Sequence, residues 1–220
     1  MKNRVAMVFG ATGLIGSEVV RLLLASEAYD EVHAVVRKDP EIEDDKLRLH
    51  LTDFSDLSSL QLPMNVTDVF CCLGTTLKKA GSKEAFYAID FQLAYDLTRL
   101  AREAGAEQFL MVSSIGAAAG SSNSYLKVKG ELEEAVRTLA FPSTKVFRPS
   151  LLLGERQEQR FAEGLAASVL PRLSFLFKGP LRKYRPIEGA AVARALVAAA
   201  LDGERGFSIL EGDEIADRAG

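Results

Sequence analysis

The run VAMVFGATGLIGSEVVRLLL, residues 5–24, constrains the fold of this 220-residue chain more than any other stretch. A short apolar segment, residues 5–9, leads into Gly10, Gly13 and Gly16, and then into a segment with helical periodicity. Glycine permits a sharp turn and lets the backbone come close to phosphate, while the free N–H groups at a helix start attract negative charge. Strand, glycine-rich turn and helix in that order point to a bound nucleotide diphosphate; a GxxGxxG without that context carries little weight. The competing reading is an ordinary strand–helix turn rich in glycine, and the spacing of the three glycines disfavours it. Contacts to a dinucleotide then fall on Gly10, Thr12, Gly13, Leu14, Ile15 and Gly16.

Beyond this turn, strand-like and helix-like runs alternate. Residues 31–36, 46–51, 68–73, 109–112, 144–147 and 207–210 read as strands. Residues 55–62, 82–104, 125–139 and 189–201 read as helices. Pro63 ends the weak helix over 55–62, while Ser82 caps the long one and Gly105 stops it. The alternation predicts an α/β fold: a Rossmann-type doubly wound parallel sheet with helices on both faces, in one domain. Its ligand belongs at the carboxyl ends of the strands. A small substrate-side portion is expected mainly over residues 150–188, and its apolar stretch at 161–177 reads as core packing mixed with a lid or subunit contact.

A hydrophobic content of 48% with 26% charged residues is that of a globular protein, and the net charge of −3 argues against nucleic acid as a partner. Cys71 and Cys72 are adjacent in an apolar run, so they read as small core residues of a reduced intracellular protein, not as a disulfide framework. The N-terminus lacks a signal-peptide pattern, and no segment has the uninterrupted apolar length of a membrane span. These features lead us to expect a cytoplasmic protein. His33 and His50 lie in separate strand-like segments, and no metal site is expected.

Four further features fall on the edge that the glycine turn defines. Arg37 and Lys38 end the second strand, where a basic residue accommodates the extra phosphate of NADP(H) and an acid would favour NAD(H). The alternative keeps them as solvent-facing charges and gives the ribose to Asp39. Asp53, followed by Phe54, either accepts the adenine amino group or caps the next helix. Leu73, Gly74 and Thr75 follow the fourth strand, where glycine lets backbone pass close to the cofactor. Last, Ser113 and Ser114 end the fifth strand, and Tyr125 and Lys129 open the helix after it. Spaced four apart, Tyr125 and Lys129 share a helix face, and an ammonium beside a phenol lowers its pKa. Lys127 lies on another face.

In this order, GATGLIGSEVV, DFSDL, CCLGTT, VSSIGA, YLKVKGELE and VFRPSLLLGE resemble the short-chain dehydrogenase/reductase superfamily in its extended or atypical branch, over about the first 155 residues. Within it, CCLGTT followed by YLKVKGE is similar to the subgroup around the Tat-interacting protein 2 oxidoreductases. The resemblance implies a Rossmann fold binding NADP(H), with Tyr125 as proton donor or acceptor and Lys129 on the nicotinamide ribose. It also implies a serine polarising the substrate carbonyl, Ser114 being favoured over Ser113, and Pro149 near the nicotinamide. Two departures stand out. Asp90 occupies a position where many relatives carry asparagine, and the portion after residue 155 is short. Arg185 is open to an anionic substrate or to a structural salt bridge.

The expected function is NADP(H)-dependent oxidoreduction of a small carbonyl or alcohol. The alternative from another class is a cofactor-binding regulatory or scaffold protein with little turnover. Nucleotide-sugar epimerisation is disfavoured by the short C-terminal portion. A small-molecule substrate is the expected partner, with a homodimer or a protein partner left open.

Overall fold

The structure, a computed structural model, describes residues 4–153 and 179–220. Its frame is a sheet of seven parallel strands: β1 (Arg4–Phe9), β2 (Tyr29–Val36), β3 (Leu47–Leu51), β4 (Asp68–Cys71), β5 (Gln108–Val112), β6 (Ser143–Arg148) and β9 (Gly206–Glu211). Their order across the sheet is β3-β2-β1-β4-β5-β6-β9. The chain starts in the middle, winds outward through β2 and β3, then returns to the other side of β1. The reversal between β1 and β4 leaves a crevice at their carboxyl ends, which is where such sheets take ligands. Leu152–Leu153 (β7) and Ile187–Glu188 (β8) form a separate two-residue ladder.

Strand side chains alternate between faces, so β1 feeds two cores at once. Ala6 and Val8 join Phe70, Leu110 and Phe147 on one face, covered by α1 (Leu14–Ala25) and a late helix over Gly189–Leu201. Met7 and Phe9 join Val69, Phe109 and Met111 on the other, covered by helices over Ala94–Glu103 and Ser124–Thr138. Burial on both faces explains why these strands read as continuous apolar runs instead of alternating ones.

The long helix expected over 82–104 forms as a continuous helical run over residues 83–103, but its winding changes partway along. After a one-turn α2 (Leu77–Ala80), Ser82 caps α3 (Lys83–Tyr87) by accepting the Ala85 N–H at 3.0 Å. The chain then widens into a π-helical turn over Ala88–Leu93 before α4 (Ala94–Glu103). Gly105, at φ +96°, ends it as expected.

The weak helix expected over 55–62 does not form. Asp53 and Asp56 each accept the N–H two residues on, from Ser55 and Ser58, both at 2.8 Å, and Thr52 does the same for Phe54 at 3.1 Å. Short polar side chains compete with helical hydrogen bonding in this way. Elements not anticipated include the one-turn α2, the β7–β8 ladder, a 3-10 helix over Gly179–Tyr184, and a terminal helix, α7 (Gly212–Arg218), begun by a reciprocal capping box between Glu211 and Glu214. The helix over Gly189–Leu201 (α6) has the expected bounds. The apolar stretch 161–177 lies outside the described residues.

Helix α5 (Ser124–Thr138) carries Tyr125 and Lys129, and one glycine sets how close it lies to the loop before it. A methyl group on Gly130 would sit 2.2 Å from the Ala118 carbonyl carbon and 2.3 Å from the Ala119 nitrogen. Both are backbone atoms that a rotamer change does not move. Gly130→Ala is therefore expected to cost about 3 kcal/mol, the upper range for overpacking, read as a fall in urea midpoint at unchanged m-value.

Candidate functional site

Two glycines of the first turn are required by close backbone contacts, and a third starts the helix. Gly10 has φ +78°, and a methyl group there would meet the Cys72 carbonyl at 2.7 Å. Gly16, in the first turn of α1, would drive one to 2.1 Å from the Gly10 oxygen. Gly13, whose N–H donates to that oxygen at 3.0 Å, is the residue from which α1 starts. The start of α1 has no side-chain cap and no acidic residue in its first turn. Its N–H groups and macrodipole thus face the crevice with no carboxylate against them. Thr12 and Leu14 are exposed there, while Ile15 and Gly16 are buried.

Arg37 and Lys38 follow β2, the neighbour of β1, and are both exposed. Asp39, the other candidate for the ribose, accepts the Glu41 N–H at 2.7 Å and so closes a local turn. Asp53 lies beyond β3 and is exposed; its Oδ1 accepts both the hydroxyl (2.7 Å) and the N–H of Ser55. Those bonds hold its carboxyl below the usual range. The capping reading of Asp53 is corrected, because no helix follows it. Phe54 turns at φ +65° and packs against the Met7–Phe109 core.

Leu73, Gly74 and Thr75 pass over the site's charged centre. Lys129 is 4% exposed and Asp90 1% exposed, and Lys129 Nζ lies 2.6 Å from Asp90 Oδ1. This is an ion-pair contact, off the angle of a well-aligned hydrogen bond. Asp90 Oδ2 accepts the Thr75 N–H at 2.8 Å, and a methyl group on Gly74 would come within 3.4 Å of Lys129 Nζ. Burial works to lower the Lys129 pKa, but the carboxylate of Asp90 and then the phenol of Tyr125 outweigh it and hold it above the usual lysine value. Tyr125 is half-buried against the Phe86 ring, centroids 5.6 Å apart. Its helix is capped by Asn123, whose carbonyl oxygen accepts the Tyr125 and Leu126 N–H groups at 2.9 and 3.3 Å. Lys127 faces away and pairs with Glu131 at 3.8 Å.

The two serines separate. Ser113 is buried and donates to Glu133 Oε1, which also takes Arg148 Nε at 3.0 Å. Ser113 thus belongs to an internal network, whereas Ser114 is half-buried outside it, at the turn that Ala117 closes by donating to its carbonyl. The buried Pro149 accepts the Ile115 N–H at 3.0 Å, tying the ends of β5 and β6 together. Arg185 is exposed; among the described residues its neighbours Arg182 and Lys183 make the salt bridges, to Asp217 and Glu211.

Two contacts were hidden from sequence reasoning. Asp90 showed only as an unusual residue, with nothing in local periodicity to pair it with Lys129, 39 positions on. His33 and His50 meet across β2 and β3 at 2.9 Å, yet no metal-binding group is found among the described residues. Burial pushes the Cys71 thiol up to about 11, consistent with a packing role. A cleft of about 540 Å³, lined by Arg4, Asp68 and Gln108, opens at the amino ends of the strands, away from this constellation.

Fold and glycine turn together define a dinucleotide-binding protein of the Rossmann class, and comparison with known proteins sharpens this. Residues 10–170 match the family model described as NAD(P)H-binding. Protein FMP52-1, mitochondrial, of Scheffersomyces stipitis is 37% identical over 214 residues, covering 95% of this chain and 91% of the relative. An oxidoreductase of the short chain dehydrogenase/reductase family from Burkholderia thailandensis shares the fold with a TM-score of 0.69 at 20% identity, covering 98% of this chain and 94% of that one. A UDP-glucuronic acid 4-epimerase from Bacillus cereus, solved with NAD, does so with a TM-score of 0.64 at 17% identity, covering 97% and 80%.

The chain belongs to the NAD(P)H-binding family with a short-chain dehydrogenase/reductase fold, and curated relatives of it carry the FMP52 name. The cytoplasmic placement expected from the sequence is overturned by these relatives, which are named mitochondrial.

The Glu133 network makes a prediction of its own. Glu133→Ala removes the buried acceptor of Ser113 and, among the described residues, leaves Arg148 with only Glu211, at 3.9 Å. A loss of about 3 kcal/mol is expected, the low end for breaking a buried pair because Arg148 is partly solvated. Urea unfolding at pH 7 measures it.

Proposed function

We propose that this protein is an NADP(H)-dependent oxidoreductase acting on a small carbonyl or alcohol. The observation that carries the reading is the placement of Tyr125 and Lys129 on one face of α5, with Lys129 directly under Gly74 at the sheet's ligand edge. The chain's residues fit the dinucleotide: at Gly10 and Gly16 no side chain has room, and the start of α1 carries no competing carboxylate. Arg37 and Lys38, exposed at the end of β2, support a preference for the ribose phosphate of NADP(H).

Bound nicotinamide would supply or accept the hydride at the substrate carbon. Tyr125 would give its phenol proton to the carbonyl oxygen in reduction and take it back in oxidation. Ser114 would donate a hydrogen bond to that oxygen, fixing the carbonyl and favouring charge as it develops. Lys129 would keep a positive charge beneath the ribose and beside the phenol. Cofactor contacts are assigned to Gly10, Thr12, Gly13, Leu14, Ile15, Gly16, Arg37, Lys38, Asp53, Phe54, Leu73, Gly74, Thr75, Tyr125, Lys129 and Pro149.

Two measurements test this. Tyr125→Phe is expected to lower kcat about 10³-fold across a panel of aldehydes, ketones and quinones, as loss of a general acid does, while NADPH affinity stays within twofold. Full turnover in Tyr125→Phe would refute the mechanism, and NADPH binding without turnover in the unaltered protein would favour a regulatory role. Arg37→Ala is expected to weaken NADPH binding about tenfold, near 1.4 kcal/mol, and to leave NADH unchanged in calorimetric titration.

A further inference from the structure

Asp90 is a buried carboxylate that the mechanism above does not use. It sits in the π-helical turn Ala88–Leu93, where the wider winding departs from the flanking α-helices; such turns recur at functional sites. One oxygen is committed to the Thr75 N–H at 2.8 Å and the other contacts Lys129 Nζ at 2.6 Å. The carboxylate therefore binds together the loop after β4 and the lysine on α5, two elements more than fifty residues apart in the chain.

The charge balance follows from the surroundings. Facing Lys129 are Asp90 from the π turn, Tyr125 from its own helix and Cys71 from β4. The Cys71 thiol, with its pKa raised by burial to about 11, stays neutral at physiological pH. Lys127 and Glu131, on the exposed side of α5, compensate each other. The buried part of the site thus holds one ammonium and one carboxylate in contact, with a net charge near zero. A lone ammonium lowers the pKa of a neighbouring phenol, whereas a compensated one does so far less.

We propose that Asp90 is a positioning residue: as the counter-ion of Lys129 it holds the lysine beneath the Gly74–Thr75 loop and, by cancelling much of its field, sets the pH at which the Tyr125 phenol ionises. The proposal rests on Tyr125 being the acid–base group, but its electrostatic half is measurable without any reaction.

The test is a titration of the protein labelled with ¹³Cζ-tyrosine, the Tyr125 signal being assigned by its loss in Tyr125→Phe. Asp90→Asn keeps an acceptor for Thr75 but uncovers the lysine charge, and the Tyr125 pKa is expected to fall by about one unit, a tenfold change in proton affinity. The double variant Asp90→Asn/Lys129→Met removes both charges, a replacement that buried pairs often tolerate, and is expected to titrate within about 0.5 unit of the unaltered protein. A purely structural role for Asp90 would not produce this reversal. An unchanged Tyr125 pKa in folded Asp90→Asn overturns the proposal. So does a rise of about one unit or more in the double variant, which would show that Lys129 acts on the phenol uncompensated. If the titrations behave as expected but no carbonyl is turned over, the counter-ion inference stands and the oxidoreductase reading fails.

Discussion

The contact on which the rest of this structure depends is that between the turn after β1 and the end of β4. There the backbone of Gly10 lies so close to Cys72 that a single methyl group has no room, and Gly16 stands closer still to Gly10. This intimacy brings the start of α1 up to the sheet and leaves its N–H groups facing the crevice between β1 and β4. It also sets the course of the chain after β4, because Cys72, which donates to Phe9 at 2.8 Å, leads directly into Gly74. From Gly74 the path runs to Thr75 and Asp90, and from Asp90 to Lys129. The phosphate end and the proposed chemical end of the site are linked through that one stretch of backbone.

The opposite edge of the sheet is built for a different purpose. Buried Lys145 reaches the Ala199 carbonyl at 2.6 Å and pairs with Asp202, while Arg4 joins Asp68 at 2.8 Å and the Ala200 carbonyl at 2.6 Å. Gln108 also donates to Ala200, at 3.0 Å. These bonds satisfy the last carbonyls of α6, which would otherwise be left without partners under the sheet. Charged residues there close a helix end. At the carboxyl edge, by contrast, the start of α1 has neither side-chain cap nor first-turn acid, and that difference in hydrogen-bond completion distinguishes the ligand edge from the structural one.

Much of the architecture was legible along the chain. The strands could be read because burial on both faces demands unbroken apolar runs, as in Asp68–Cys71 and Gln108–Val112. The ends of the helices over Lys83–Glu103 and Gly189–Leu201 were legible from Ser82, Gly105 and Asp202, since caps and stops act within a few residues. The stretch after Asp53 misled because its aspartates and serines bond to their own backbone, an outcome that apolar spacing does not report. The π turn at Ala88–Leu93 was invisible for a related reason: a helix that widens by one residue keeps nearly the same apolar pattern.

The division between what the sequence determined alone and what needed tertiary structure follows the range of the forces involved. Gly10, Gly13 and Gly16, the apolar runs, and the i,i+4 pairing of Tyr125 with Lys129 are local constraints, and they sufficed for the fold class and for the edge on which a ligand belongs. The tertiary structure alone decided that Ser113 is held by Glu133, which Arg148 clamps in turn, while Ser114 stays outside that network. It alone decided that Asp90 pairs with Lys129 beneath Gly74. Such partners lie 15 to 39 residues apart and meet only when two elements pack. A buried charge takes whichever opposite charge the packed fold sets beside it, and no local pattern in the chain records that choice.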